Sequence, residues 1–190
     1  LRVYEIPEVS KTSKGRAIQN LVSIEQDDKV KAFICTQDLK DENYINNHYV
    51  VMATKKGQVK KTSLEQYSRP RVNGINAITI REGDELLEAK LTTGSSQVVL
   101  AVKSGKAIRF EESKTRPMGR NASGVRGIKL SHSSDEVVGM VAVNDLDTDI
   151  LVVSENGYGK RSKLEDYRIT NRGGKAVSYT HLRAHETMLH

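Results

Sequence analysis

Tryptophan is absent from this chain, and phenylalanine and tyrosine together bring the aromatic content to only 5%. So few rings argue against stacking on single-stranded bases, which needs aromatic platforms. Cys35 is the only cysteine. That excludes an intrachain disulfide framework and a cysteine-built zinc site, and it fits a reducing compartment. No apolar run approaches the roughly 18 residues that a membrane-spanning helix requires. The opening residues LRVYEIPEV lack the layout of a signal peptide. Leu1 in place of Met leads us to expect a piece of a larger protein.

At 190 residues the chain can bury a real core. Thirty basic and 24 acidic residues give a net charge of +6 and a pI near 9.3. Such a modest excess says little alone; where the charge sits matters more. It is dense between Lys103 and Lys129, where eight Lys or Arg accompany two acids, Glu111 and Glu112. That stretch reads as an apolar strand from Val98, a Ser104-Gly105 turn, a return strand, and a loop rich in Arg and Gly ending Gly124-Val125-Arg126-Gly127-Ile128.

The same plan recurs. Tyr49–Thr54, a Lys56-Gly57 turn and Gln58–Thr62 form one predicted hairpin; Ile150–Ser154, Asn156-Gly157 and Tyr158–Ser162 form another. The turn glycines Gly57, Gly105 and Gly157 lie 48 and 52 residues apart, and the loop glycines Gly15, Gly74, Gly124 and Gly174 lie 59, 50 and 50 apart. Acidic turns begin at Asp28, Asp84 and Asp135, and Leu64-Glu65-Gln66-Tyr67 returns as Leu164-Glu165-Asp166-Tyr167. One period of about 50 residues with several short strands per unit predicts an all-β, propeller-like array with four strands per blade. A helical solenoid is disfavoured because no long 3.6-residue periodicity occurs. The expected divisions are 1–46 (the end of one blade and a connecting loop), 47–97 and 98–149 (whole blades) and 150–177 (the start of another). Val30–Ile34 is a predicted strand and 37–48 a polar connecting loop. Residues 178–190 hold three of the five histidines and break the repeat, which marks them as a non-native tail.

Basic residues recur at fixed phase. Lys61, Arg109 and Arg161 stand four places past the turn glycines, and Lys60 and Lys160 three places past. Lys14 and Arg16, Arg69 and Arg71, Arg116, Arg120 and Arg126, and Arg172 and Lys175 flank the loop glycines; Lys106 and Lys129 complete the set. A charge run is usually just a solvated face. Charge phased with a repeat becomes a stripe instead, and a stripe of Lys and Arg beside glycines suits a phosphate backbone.

Enzyme signatures are missing. Gly119 to Gly124 is not a phosphate-binding loop, and Arg172-Gly173-Gly174-Lys175 lacks the required spacing and following helix. His185-Glu186-Thr187-Met188-Leu189-His190 has one residue too many for two histidines to share a zinc on a helix face. The paired acids Asp27/Asp28, Asp84/Glu85 and Asp135/Glu136 occupy turns at one phase, where hairpin polarity explains them better than acid–base work. Tyr67 and Tyr167 recur with the repeat, which favours packing over nucleophilic roles.

The segments VYEIPEVSKTSKGRAIQNL, VMATKKGQVKKTSLEQY, GKAIRFEESKTRPMGRNASGVRGIKL and SENGYGKRSKLEDY resemble the C-terminal domain of the bacterial DNA gyrase A protein over about residues 1–177. The most specific part runs from Arg116 through Met118, Gly119, Asn121 and Gly124 to Val125-Arg126-Gly127-Ile128. The resemblance implies a β-pinwheel, a propeller-like disc of six blades that exchange strands, here incomplete. It implies that double-stranded DNA wraps with positive handedness around a basic rim. It also implies a place in an A2B2 holoenzyme with the N-terminal part of gyrase A and with gyrase B, a type IIA topoisomerase that supercoils DNA negatively using ATP and Mg. The fragment itself would hold no catalytic residue, cofactor or metal, would touch no membrane, and would be cytoplasmic and nucleoid-associated. The family's Q-R-R-G-G-K-G box would lie upstream of Leu1, and Thr170–Ala176 echoes it only at Arg172, Gly173, Gly174 and Lys175. Two alternatives stand beside this reading: the corresponding C-terminal domain of topoisomerase IV, and a propeller-like protein-interaction scaffold.

Overall fold

A computed structural model describes residues 1–178 apart from 3, 5–7, 16, 18, 19, 21–27, 72 and 155. The reading of 178–190 as a tail therefore falls, from 179 onward, outside the described residues. Three hairpins form where β-branched runs meet a turn glycine: β1 (Tyr49–Thr54) with β2 (Gln58–Ser63), β4 (Gln97–Val102) with β5 (Lys106–Glu111), and β8 (Asp149–Val153) with β9 (Gly159–Lys163). Gly57, Gly105 and Gly157 take φ of 82°, 73° and 82°, a region that only glycine enters without strain. The acidic turns pin the first two of these hairpins. The Asp84 carboxylate accepts the Lys56 N–H at 2.9 Å, and Asp135 accepts the N–H and Oγ of Ser104 at 3.1 and 2.8 Å.

Each of the first two hairpins gains a third strand from the chain that follows it and a fourth from further on. β3 (Leu86–Thr92) pairs with β1, and β7 (Val137–Val143) pairs with β4. β6 (Val125–Arg126) pairs with β2, and β10 (Val177–Ser178) pairs with β5. The sheet orders are thus β3-β1-β2-β6 and β10-β5-β4-β7, with β8-β9 a two-stranded sheet. The fourth strand of each sheet comes from the connection after the next hairpin. The sheets are therefore not consecutive blocks: β6 lies within 98–149 yet completes the sheet of 47–97.

Packing follows the period of two along each strand. In β4, Val98, Leu100 and Val102 face one core with Val51, Ala53 and Val59 of the preceding sheet; Val99 faces another with Leu164 and Tyr167 of the following unit. A strand covered on both faces must read as a continuous apolar run, as VVLAV does. A third core joins Val50, Met52, Leu64 and Tyr67 to Ala32, Ile34, Leu39 and Ile45.

Two expectations for the first part of the chain change. Residues 30–34 form no strand: Ala32 and Ile34 turn inward while Phe33 stays exposed, so the alternation is real but no ladder forms. The polar stretch 37–48 is not all loop but holds a short helix, α1 (Glu42–Asn46). The Asp41 carboxylate caps it by accepting the N–H groups of Asn43 and Tyr44 at 2.9 and 3.2 Å.

Candidate nucleic-acid interface

β3 and β7 of neighbouring sheets approach one another. The Arg- and Gly-rich loops lie along the opposite edges, carrying β6 and β10, and there too neighbouring units meet, the Gly173 N–H donating to Gly127 O at 2.7 Å. Each loop crosses the preceding sheet's outer edge. The Met118 N–H donates to Lys61 O at 2.8 Å, and the Thr170 N–H donates to Arg109 O at 2.8 Å. Close passage requires glycine: a Cβ on Gly127 would sit 2.3 Å from Val59 Cγ2, and one on Gly124 would sit 2.7 Å from Val59 O.

Two basic clusters result. In the first, Arg69, Arg71 and Arg120 line an open concavity of about 780 Å³ with Gln66, Ser68 and Glu65. The Arg120 N–H donates to Gln66 Oε1 at 3.2 Å. In the second, Arg172 donates from Nε to Lys114 O at 3.0 Å and from Nη1 to Arg126 O at 2.5 Å. Lys129 and Lys175 bridge in parallel beside it, with the Lys129 N–H on Gly174 O at 2.8 Å. Gln66 and Lys114 occupy the same place in successive units, as do Arg120 and Arg172, but the contact differs: the Arg120 backbone N–H meets the Gln66 side chain, whereas the Arg172 side chain meets the Lys114 carbonyl.

Lys14, Arg116 and Lys160 are exposed outside these clusters, and Lys106 is half-buried on β5. Arg16 lies outside the described residues. Arg161 is exposed and ion-paired, its Nε 3.1 Å from Asp149 Oδ2.

Three of the cations expected to contact DNA are buried and committed to other partners: Lys60, Lys61 and Arg109. Lys60 Nζ donates to Ala77 O at 2.6 Å and to Arg120 O. Burial, and then the facing Arg120 guanidinium, lower its pKa to about 8. Lys61 Nζ sits 2.9 Å from Glu112 Oε1 and 4.2 Å from the centre of the Tyr49 ring. Glu112 also accepts from Thr92 Oγ1 and the Ser96 N–H at 2.8 and 3.2 Å. Arg109 Nη1 donates to Leu164 O at 2.6 Å and Tyr167 O at 2.8 Å. Their strands are covered on both faces, so fixed phase here places charge between sheets rather than on a rim. Sequence reasoning missed Gln66 and Lys114, whose contacts anchor the basic loops. Both sit just after a return strand, in the short turn that recurs with it, and that recurrence was the available signal.

Among the described residues no group of three His, Cys, Asp or Glu side chains could hold a metal, and no helix is long and apolar enough to cross a membrane. Tyr67 and Tyr167 are buried, with burial as the main cause raising both phenol pKa values.

Comparison with known proteins agrees with this architecture. The DNA gyrase A protein of Staphylococcus epidermidis (strain ATCC 12228) is 44% identical over 178 residues, and that of Staphylococcus aureus (strain NCTC 8325) is 44% identical over 179. Both alignments cover 93% of this chain but only 19% and 20% of the relatives, so the chain spans about a fifth of their length. A crystal structure of the C-terminal domain of DNA topoisomerase IV superposes with a TM-score of 0.79 at 27% identity, covering 90% of this chain and 52% of that one. A gyrase A C-terminal domain gives 0.74 at 24%, a likeness of fold alone, covering 87% and 53%. A family model described as DNA gyrase C-terminal domain, beta-propeller, matches residues 1–37, 48–93, 97–144 and 148–187. With every hairpin and basic loop inside those spans, the chain belongs to the DNA gyrase C-terminal domain, beta-propeller, family.

Proposed function

We propose that this chain binds duplex DNA through its phosphate backbone and wraps it, as the non-catalytic wrapping module of a gyrase. The observation that carries the reading is the repeated placement of a basic loop over the preceding unit's outer edge, with Arg120 over Gln66 and Arg172 over Lys114. Cations repeated from unit to unit engage the phosphate backbone at intervals without reading bases, which suits sequence-tolerant binding. The contact set is Arg69, Arg71, Arg120, Arg126, Lys129, Arg172 and Lys175, with Lys14, Arg116, Lys106 and Lys160 as outlying members and Arg16 included on its sequence phase alone. Sequence identity of 44% to gyrase A proteins favours gyrase over topoisomerase IV. The holoenzyme partners are then the N-terminal part of gyrase A and gyrase B in an A2B2 assembly, in the bacterial cytoplasm at the nucleoid. ATP and Mg serve elsewhere in that assembly, and this chain needs no cofactor.

The test is a topology assay. Nicked circular plasmid is ligated at low salt with increasing protein, and linking number is read on a chloroquine gel. A positive shift, reduced in Arg69→Gln/Arg71→Gln/Arg120→Gln, is the expected result. Salt-sensitive binding without a shift would reduce the proposal to backbone binding alone. If folded protein gives neither, the interaction-scaffold reading takes its place.

A further inference from the structure

The Arg120 loop is fastened along three consecutive carbonyls. Arg120 O accepts from Lys60 Nζ, Asn121 O from Thr79 Oγ1 at 2.7 Å, and Ala122 O from the Thr79 N–H at 3.3 Å. The same Lys60 ammonium donates to Ala77 O at 2.6 Å, and the Tyr67 hydroxyl donates to that carbonyl at 3.1 Å. Ala77 and Thr79 belong to the chain that follows Arg69 and Arg71 and leads into β3. One buried cation therefore spans two successive basic loops. Lys60 is fully buried, and an ammonium removed from water must keep its acceptors. Charge-assisted bonds of this kind are stronger than neutral ones. The two carbonyls, and the segments that carry them, are thereby held at a set separation.

The second loop is held differently. Ile108, fully buried, stands where Lys60 does, three residues past the turn glycine. Main-chain bonds take the lysine's part: the Gly173 N–H donates to Gly127 O at 2.7 Å and the Lys129 N–H to Gly174 O at 2.8 Å. Arg172 engages its own guanidinium with Lys114 O and Arg126 O. In the first loop Lys60 and Thr79 do the fastening, and Arg120 lines the open concavity beside Arg69 and Arg71. We propose that Lys60, assisted by Thr79, is a positioning residue for DNA: from inside the protein it fixes Arg120 against Arg69 and Arg71, and the three arginines meet the phosphate backbone already in place. Ordering the loop before DNA arrives removes a cost that binding would otherwise bear. Lys60 itself, being buried, touches no phosphate. The inference rests on the wrapping function proposed above.

Two measurements on the full chain test it. In the first, fluorescence anisotropy on a labelled duplex is followed through a salt series. Lys60→Met should reproduce Arg120→Gln in affinity and in salt slope, a slope flatter by about 1. Added to Arg120→Gln it should change nothing more; added to Arg172→Gln it should take its full effect. Thr79→Val should move affinity and slope in the same direction as Lys60→Met. It alters no charge and lies at an exposed place, so it decides the matter should Lys60→Met fail to fold. A wild-type slope in either variant would overturn the proposal. So would equal further losses on the Arg120→Gln and Arg172→Gln backgrounds. The second measurement places spin labels on Arg71→Cys and Arg120→Cys in a Cys35→Ser background and reads their separation by pulsed electron resonance. The expected result is a narrow distance distribution that Lys60→Met and Thr79→Val both broaden; an unchanged width would sink the idea. No DNA is present in this second measurement. A wild-type chain that failed to bind duplex would therefore remove the wrapping function, and the label distances would still decide whether Lys60 holds the loop.

Discussion

Lys60 and Lys61 are adjacent, both charged and both buried, yet period-two geometry sends them to opposite faces of β2 and into different roles. Lys60 ties the 69–80 segment to the Arg120 loop through two carbonyls. Its pKa of about 8 in the folded protein, against 10.5 ordinarily, means the unfolded chain binds more protons between those values. Stability from this group is therefore present above pH 10.5 and lost as pH falls through 8. We expect urea unfolding of wild type, relative to Lys60→Met, to gain on the order of 2 kcal/mol between pH 8 and 10.5. Taking the difference removes most of the contribution of Tyr67, which titrates nearby and shares the Ala77 carbonyl. Lys61 behaves otherwise. Lys61→Met leaves Glu112 buried without its counter-charge and should cost about 3–5 kcal/mol, while Lys61→Met/Glu112→Leu should recover most of that loss. Urea titrations of both variants decide it, and equal losses in the two would refute the pairing argument.

At the scale of elements, the exchanged strands β6 and β10 are only two residues long, so their attachment rests on the loops that deliver them. Gly127 follows β6 at a point where any side chain would press on Val59 and Leu100. Gly127→Ala should destabilise the protein by about 1–3 kcal/mol. Hydrogen exchange of the Val59 and Val125 amides should accelerate more than that of Val98 or Leu100, because the β2–β6 ladder loosens first. Uniform acceleration across both sheets would place the strain elsewhere. The fourth strand also explains a mismatch in the repeat. Val125 opposes Val59 and Val177 opposes Ala107, so the loops of these two units are 52 residues apart, as Gly105 and Gly157 are. Ala176, not Gly174, therefore stands where Gly124 stands.

At the scale of the whole molecule, the proposed DNA contact joins the two basic clusters. If the seven cations assigned to them each neutralise one phosphate, the logarithm of the binding constant should fall with the logarithm of salt at a slope of about −6. Neutralising Arg69, Arg71 and Arg120 should reduce that slope by about 3, and fluorescence anisotropy on a labelled duplex across a salt series measures both. Replacing Arg109 instead should lower the melting temperature and leave the slope of the folded protein unchanged, since its guanidinium is buried against Leu164 and Tyr167.

The sequence by itself determined the hairpins, their turn glycines, the repeat and the all-β class. These rest on local physics: β-branched runs, a glycine able to take positive φ, and acids that bind turn amides. It also marked the loops that carry Arg69, Arg120 and Arg172. Only the tertiary structure decided which phased cations face solvent. Lys61, Arg109 and Arg161 are indistinguishable along the chain, and what separates them is whether another unit lies against their strand. Strand exchange was likewise decided there, since two-residue ladders such as Val125–Arg126 carry no signal of their own and form only when a distant sheet offers an unpaired edge.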